Sequence, residues 1–117
     1  WFVENDNQLP EHIKKDIENP DNSIIISIAS LWEMTIKMTL GKLQISRDIE
    51  SIINNLYLNG FEILPILPEH IIKLSTLAYF HRDPFDRIII AQVLSENLEI
   101  VTSDDQFENY KVKRNWK

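Results

Sequence analysis

The order of segments predicts an α/β domain with a mainly parallel central sheet, on three observations. Short β-branched runs alternate with longer stretches of helical period, as in chains that wind helices onto a parallel sheet. The first such run, Ile24-Ile25-Ile26, shows no polar alternation, as expected of a strand covered on both faces. The chain has 117 residues, 44% of them hydrophobic, which suits one buried core and not two.

Each element has local justification. Leu9 to Ile17 reads as a short helix, with Pro10 in its first turn and Leu9, Ile13 and Ile17 on one face. Asn19-Pro20-Asp21-Asn22 stops it, and Ser23 to Ser27 is the buried strand. The period turns helical from Ile28 to Leu40. One apolar row there carries Ile28, Leu31, Thr35 and Met38, a second carries Trp32, Ile36 and Leu40, and Gly41 is the natural stop. Ser46 to Leu58 is a helix capped by Ser46 or Asp48 and closed by Asn59-Gly60, and Phe61 to Leu64 is a short strand. Pro68 to Phe80 is a helix whose core face carries Ile71, Ile72, Leu74, Leu77 and Ala78. Asp83-Pro84-Phe85-Asp86 opens a further helix through Glu96, apolar nearly all round at Ile88-Ile89-Ile90-Ala91 and so well buried. Leu98 to Thr102 is a strand, Ser103 to Asn109 a turn or short helix, and Tyr110 to Val112 a last edge strand.

Composition excludes several functions. With no cysteine there is no disulfide framework, thiolate metal site or thiol nucleophile. A net charge of −6 argues against bulk electrostatic capture of nucleic acid and leaves a local basic patch as the alternative. No apolar run approaches the roughly 18–20 residues of a membrane span, and the start is not a signal peptide. The expectation is a soluble, cytoplasmic single domain over residues 1–117. Because the chain opens on Trp1 rather than Met, further sequence is expected upstream.

Three acids fall near the carboxyl ends of the expected strands, where open parallel sheets bind ligands. Glu33 is two turns into the helix after the first strand, Asp86 is in the first turn of the buried helix, and Asp104 follows the Leu98–Thr102 strand. Carboxylates without cysteine suit a hard divalent cation such as Mg²⁺ or Mn²⁺, which acidifies water and neutralises charge on phosphate. Each acid also has a plain structural reading. Asp83 reads as a helix N-cap, with Asp86 favoured at N3 by the macrodipole, Asp104 as a cap after Ser103, and Glu33 as a residue on the solvent edge.

Four stretches together resemble the PIN-domain family, and within it the VapC-like toxins of bacterial type II toxin–antitoxin pairs. They are Ser27-Ile28-Ala29-Ser30-Leu31-Trp32-Glu33; Lys37 with Gly41-Lys42-Leu43; His81 through Gln92; and Val101-Thr102-Ser103-Asp104-Asp105-Gln106-Phe107. The resemblance implies a PIN-like three-layer α/β/α fold and an Mg²⁺- or Mn²⁺-dependent endoribonuclease. Carried over residue by residue, Glu33, Asp86 and Asp104 match the family's metal-holding and catalytic acids, Thr102 supplies a neighbouring hydroxyl, and Asp83 is an auxiliary neighbour. The hydrolysis implied leaves a 5′-phosphate and a 3′-hydroxyl. Lys37, Lys42, Arg82 and Arg87 are candidates for steering the RNA backbone, each also readable as solvated surface charge, and His81 is read as structural.

In one respect the chain departs from the family. The family's first acid sits on an opening strand, whereas Trp1-Phe2-Val3 resembles the segment that follows it, so an N-terminally truncated domain is expected. The resemblance further implies an RNA substrate, a cognate antitoxin and a homodimer. Two other classes compete: a catalytically inactive interaction module, and a receiver- or phosphatase-like phosphoryl-transfer domain. For the latter Asp104-Asp105 comes too late in the chain.

Overall fold

A computed structural model describes residues 11–19, 23–41, 48–79, 83–100, 110 and 113–114. In chain order these form α1 (Glu11–Glu18), β1 (Ile25–Ser27), α2 (Ile28–Thr39), α3 (Ile49–Leu58), β2 (Glu62–Leu64), α4 (Pro68–Ser75), α5 (Pro84–Glu96), β3 (Glu99–Ile100) and β4 (Lys113–Arg114). The strands form two parallel pairs. Ile25, Ile26 and Ser27 face Glu62, Ile63 and Leu64 in β1–β2, and Glu99 and Ile100 face Lys113 and Arg114 in β3–β4. The expected α/β order and parallel pairing are therefore present.

Caps and stops explain most boundaries. Ser27 ends β1 and caps α2, its Oγ accepting the Ala29 N–H at 3.0 Å. Asp48, rather than Ser46, caps α3, accepting the Ser51 N–H at 2.8 Å; Ser46 lies outside the described residues. Gly41 and Gly60 follow α2 and α3 at φ values of 71° and 81°, a left-handed backbone that glycine adopts without a Cβ penalty. Asn97 does the same for α5 at φ 54°, while the Leu98 N–H closes on the Val93 carbonyl at 2.9 Å.

Four expectations need correction. The fourth helix, α4, stops at Ser75 and not Phe80. The Ser75 and Thr76 hydroxyls turn back to the Ile72 and Lys73 carbonyls at 2.6 and 2.8 Å and occupy acceptors that the next turn would need. Its core face is also rotated: Ile71 and Ile72 are 50% and 67% exposed, while His70 is fully buried and Leu74 and Leu77 pack against α2 and α5. Leu67 as N-cap, with Pro68 after it, fixes where the helix begins, and His70 reaching back to that cap fixes its rotation. On α2, Leu31 and Met34 face the core, but the second apolar row is exposed at Trp32, Ile36 and Leu40. The helix packs on α3 along one edge and on α5 along another, which leaves that row outside. Finally, among the described residues the strand that follows β3 is Lys113–Arg114; Tyr110, where the last strand was expected to begin, is in a 3₁₀ turn and buried against Ile90, Val93 and Ile100, while 111–112 lie outside the described residues.

As expected, α5 is buried on several sides. Ile90 and Val93 join Ile100 and Tyr110 in one apolar cluster, and Ile88 and Ala91 join Ala29 in another. A third cluster, Ile26, Leu31 and Met34, binds β1 and α2 to α3 and β2.

One polar side chain links these parts. Gln92 on α5 is 1% exposed, and its amide oxygen accepts a short hydrogen bond from the Ser27 hydroxyl. Its Nε2 donates to the Pro65 carbonyl at 3.0 Å and the Leu64 carbonyl at 3.4 Å, at the end of β2. A buried amide bonded at both ends stabilises, whereas a half-bonded one is costly. Gln92→Ala is expected to cost about 2–4 kcal/mol in urea unfolding. Gln92→Glu keeps the volume but sets a carboxylate oxygen against two carbonyls. It is expected to cost at least as much at pH 7 and to recover stability as pH falls, because the buried carboxyl binds its proton more tightly folded than unfolded. Equal unfolding midpoints for Gln92→Glu at pH 7 and pH 5 would refute this.

Candidate functional site

Two contacts fix how α2 lies on α5. Ser27, at the start of α2, meets Gln92 late in α5, and Trp32, further along α2, meets Phe85 at the start of α5. The second contact is edge-to-face, with ring centroids 5.0 Å apart and planes at 89°. The helices therefore run antiparallel. Glu33 follows Trp32 and Asp86 follows Phe85, so both carboxylates lie at the same end of the helix pair, beyond the carboxyl end of β1. Both are half-buried. The Trp32–Phe85 contact thus puts two acids, more than fifty residues apart in sequence, at one end of the helix pair.

The other expected site residues divide clearly. Asp83 is the N-cap of α5: its Oδ1 accepts the Phe85 N–H at 2.9 Å and the Asp86 N–H at 3.2 Å. This is its helix-cap reading, and it fixes the backbone that carries Asp86. Lys37 is exposed in the last turn of α2. The Arg87 guanidinium is held within the protein, donating to the Ala78 carbonyl at 3.0 Å and lying 4.5 Å over the Tyr79 ring. Asp104, Thr102, Lys42, Arg82 and His81 lie outside the described residues.

A second group of ligand-type side chains was not foreseen. One ligand atom each from Glu69, His70 and Glu96 lie within 4.8 Å of one another. The bonding of His70 gives this group a different role. Its Nδ1 accepts the Leu67 N–H at 2.9 Å, so in the neutral ring the proton is on Nε2, which faces Glu96 Oε1 at 3.3 Å. Both ring nitrogens are engaged, and no lone pair is left for a cation. His70 stands at N3 and bonds the N-cap backbone, as Glu does in a capping box, while its other nitrogen fastens α4 to the end of α5. The sequence signal was its place three residues after Leu67, ahead of an apolar run. Glu96 is about 15 Å along α5 from Asp86, so the two acidic groups mark opposite ends of one helix.

The model of the PIN domain family matches residues 1–113, and the chain belongs to that family. No curated protein matches it. The α/β fold with parallel strand pairs is that of a PIN domain, a nuclease-type fold whose members are generally metal-dependent. Glu33 and Asp86 offer carboxylate oxygens, the donor type that a hard divalent cation takes. Among the described residues, no helix is long and apolar enough to cross a membrane.

Asp83→Ala is expected to lower stability by about 1 kcal/mol, the usual cost of an N-cap, measured by thermal or urea unfolding. His70→Ala is expected to cost more, about 2–4 kcal/mol, because it opens a cavity and leaves the Leu67 N–H unpaired; His70→Gln keeps a bond to the cap and should lose less. A zinc- or manganese-dependent rise in melting temperature that His70→Gln abolishes would show a metal site there after all.

Proposed function

We propose that the chain is a metal-dependent endoribonuclease, the toxin half of a bacterial toxin–antitoxin pair acting in the cytoplasm. The observation that supports it most is that Glu33 and Asp86 each follow a partner of the Trp32–Phe85 contact, at one end of the antiparallel α2–α5 pair in a PIN domain. Asp86 and Glu33 would hold Mg²⁺ or Mn²⁺, with Asp104 completing the set. Bound there, the ion supplies Lewis acidity toward a phosphate and lowers the pKa of water. Asp86 is presented rigidly, because Asp83 fixes the first turn of α5. Glu33 sits on the row of Ala29, one turn further along α2, and would bind the ion or orient the attacking water. Lys37, exposed on α2, contributes positive charge for an RNA backbone, as Lys42 and Arg82 would. The phosphodiester opens to a 5′-phosphate and a 3′-hydroxyl. A cognate antitoxin and a homodimer belong to the same reading and rest on the resemblance to VapC-like toxins.

The test is Mn²⁺- or Mg²⁺-dependent cleavage of an RNA pool by the chain, by a version extended upstream with an Asp-bearing strand, and by Asp86→Asn and Glu33→Ala. Cleavage is expected to fall at least about 100-fold in either variant, with the fold retained by circular dichroism. Millimolar Mn²⁺ is expected to raise the melting temperature of the parent by ligand linkage, and less in Asp86→Asn. Folded, metal-binding protein that cleaves nothing, extended or not, would favour the inactive interaction module.

A further inference from the structure

Helix α3 ends on the one Asn-Gly pair in the chain, Asn59-Gly60. Asparagine before glycine is especially prone to lose its side-chain amide, because no Cβ on the next residue hinders attack by that residue's backbone nitrogen. Both residues are exposed, as are Tyr57 and Leu58 before them, and a Cβ placed on Gly60 would meet nothing within 4 Å. The surroundings leave room for the ring that this reaction forms.

The hydrogen bonding of the turn holds the reaction back. The Gly60 N–H, the group that must attack, donates to the Tyr57 carbonyl at 3.1 Å, and the Phe61 N–H closes on the Leu56 carbonyl at 2.9 Å. Together they form a Schellman motif. Asn59 Nδ2, the group that must leave, donates to the Asn55 carbonyl at 2.7 Å. With ψ of Asn59 at 11°, the Gly60 nitrogen is turned away from Cβ about the Cα–C bond, whereas ring closure needs the two nearly eclipsed. These restraints all belong to the last turn of a helix with no buried residue, and such ends open far more often than a whole domain unfolds.

We propose that Asn59 is a site of spontaneous modification, converted to aspartate and isoaspartate through a cyclic imide when the last turn of α3 opens, and that the isoaspartate uncouples α3 from β2. In the open turn hydroxide removes the Gly60 amide proton, the nitrogen bonds to Asn59 Cγ, and the Cγ–Nδ2 bond breaks to release ammonia. Water then cleaves one of the two bonds from the imide nitrogen. Cleavage at Cγ gives aspartate; cleavage at the main-chain carbon gives isoaspartate, with the chain rerouted through Cβ. The chemistry needs neither metal nor RNA.

Both products replace the Nδ2 donor by an acceptor opposite the Asn55 carbonyl. They also add negative charge at a helix C-terminus whose last turn holds no basic residue. Isoaspartate does more. It lengthens by one methylene a turn pinned at both ends, by the Phe61 N–H on Leu56 and by the Glu62 N–H on the Ile24 carbonyl at 2.9 Å. Leu56 and Phe61 pack on the same cluster of Ile26, Leu31 and Met34, so one of these anchors must give way.

The test incubates the full chain at mildly alkaline pH, folded or unfolded in urea. The peptide containing Asn59 is followed by mass spectrometry, with isoaspartyl methyltransferase labelling to separate the products. The folded chain is expected to gain the mass difference between an amide and an acid at Asn59, and the unfolded chain to do so roughly 5- to 30-fold faster. Asn59→Gln is expected to abolish the gain, since its longer side chain closes a less favourable ring. Asn59→Asp is expected to melt roughly 1–6 °C below the fresh parent, and the aged parent lower still. Equal rates in folded and unfolded chain would overturn the gating by α3. A gain that persists in Asn59→Gln, or none in the folded chain once the unfolded one has fully converted, would overturn the site. An aged parent that melts together with Asn59→Asp would overturn the uncoupling.

Discussion

Gln92 is placed where three separately built pieces must meet. The end of β1 offers a hydroxyl donor through Ser27, and the end of β2 offers the carbonyls of Leu64 and Pro65. A primary amide satisfies both kinds of group, one with its oxygen and the other with its nitrogen. Because the junction is buried, the alternative to these bonds is not hydration but unpaired polar atoms in a low-dielectric interior. Geometry at this junction fixes how α5 is seated against the strands. It also fixes how far its first turn reaches past them, which is where Asp86 stands.

Helix α5 thus carries different chemistry at its two ends. The N-terminal turn gathers carboxylate oxygens, with a backbone held by the Asp83 cap. The C-terminal end carries the His70–Glu96 hydrogen bond and closes α4 onto the domain. Both ends hold acids, the first with a half-buried Asp86 on a capped turn and the second with Glu96 bonded to an imidazole. At the other end the imidazole spends both nitrogens inside the protein. Identity of ligand-type residues alone does not separate these cases; the partners of each atom do.

Much of this was legible in the chain. The β-branched run at 24–26, the stops at Gly41 and Asn59-Gly60, and the Asp-Pro-x-Asp opening of α5 each have one dominant local reading, and each became the element it suggested. Glu33 and Asp86 stand on the elements their sequence places suggest, on α2 after β1 and in the first turn of α5. Faces were harder to read than elements. Ile71 and Ile72 carry apolar side chains at helical spacing, yet the rotation of α4 is set by His70 bonding to the Leu67 N–H, a polar contact that hydropathy does not register. Trp32, Ile36 and Leu40 form an apolar row of α2 in the sequence, yet all three lie exposed. Periodicity counts apolar residues but not how many neighbours a helix has to bury them against. Arg87 looked like a free cation because sequence does not show that Tyr79 and the Ala78 carbonyl lie within its reach.

The Ser27–Gln92 bond also bears on the order in which the chain assembles. It joins residues 65 positions apart, so a large loop must close before it can form. The contacts of α2 with α3 and the capping bonds of α3 and α5 are more local and carry a smaller closure cost. Contacts of long sequence separation tend to be made late, after a transition state built on nearer ones. The seating of α5 on α2 then belongs to a late step of folding. The bond acts as a brake on unfolding more than as a spur to folding. A nascent chain would pack α2 on α3 before it closed the Ala29–Ile88–Ala91 cluster that seats α5.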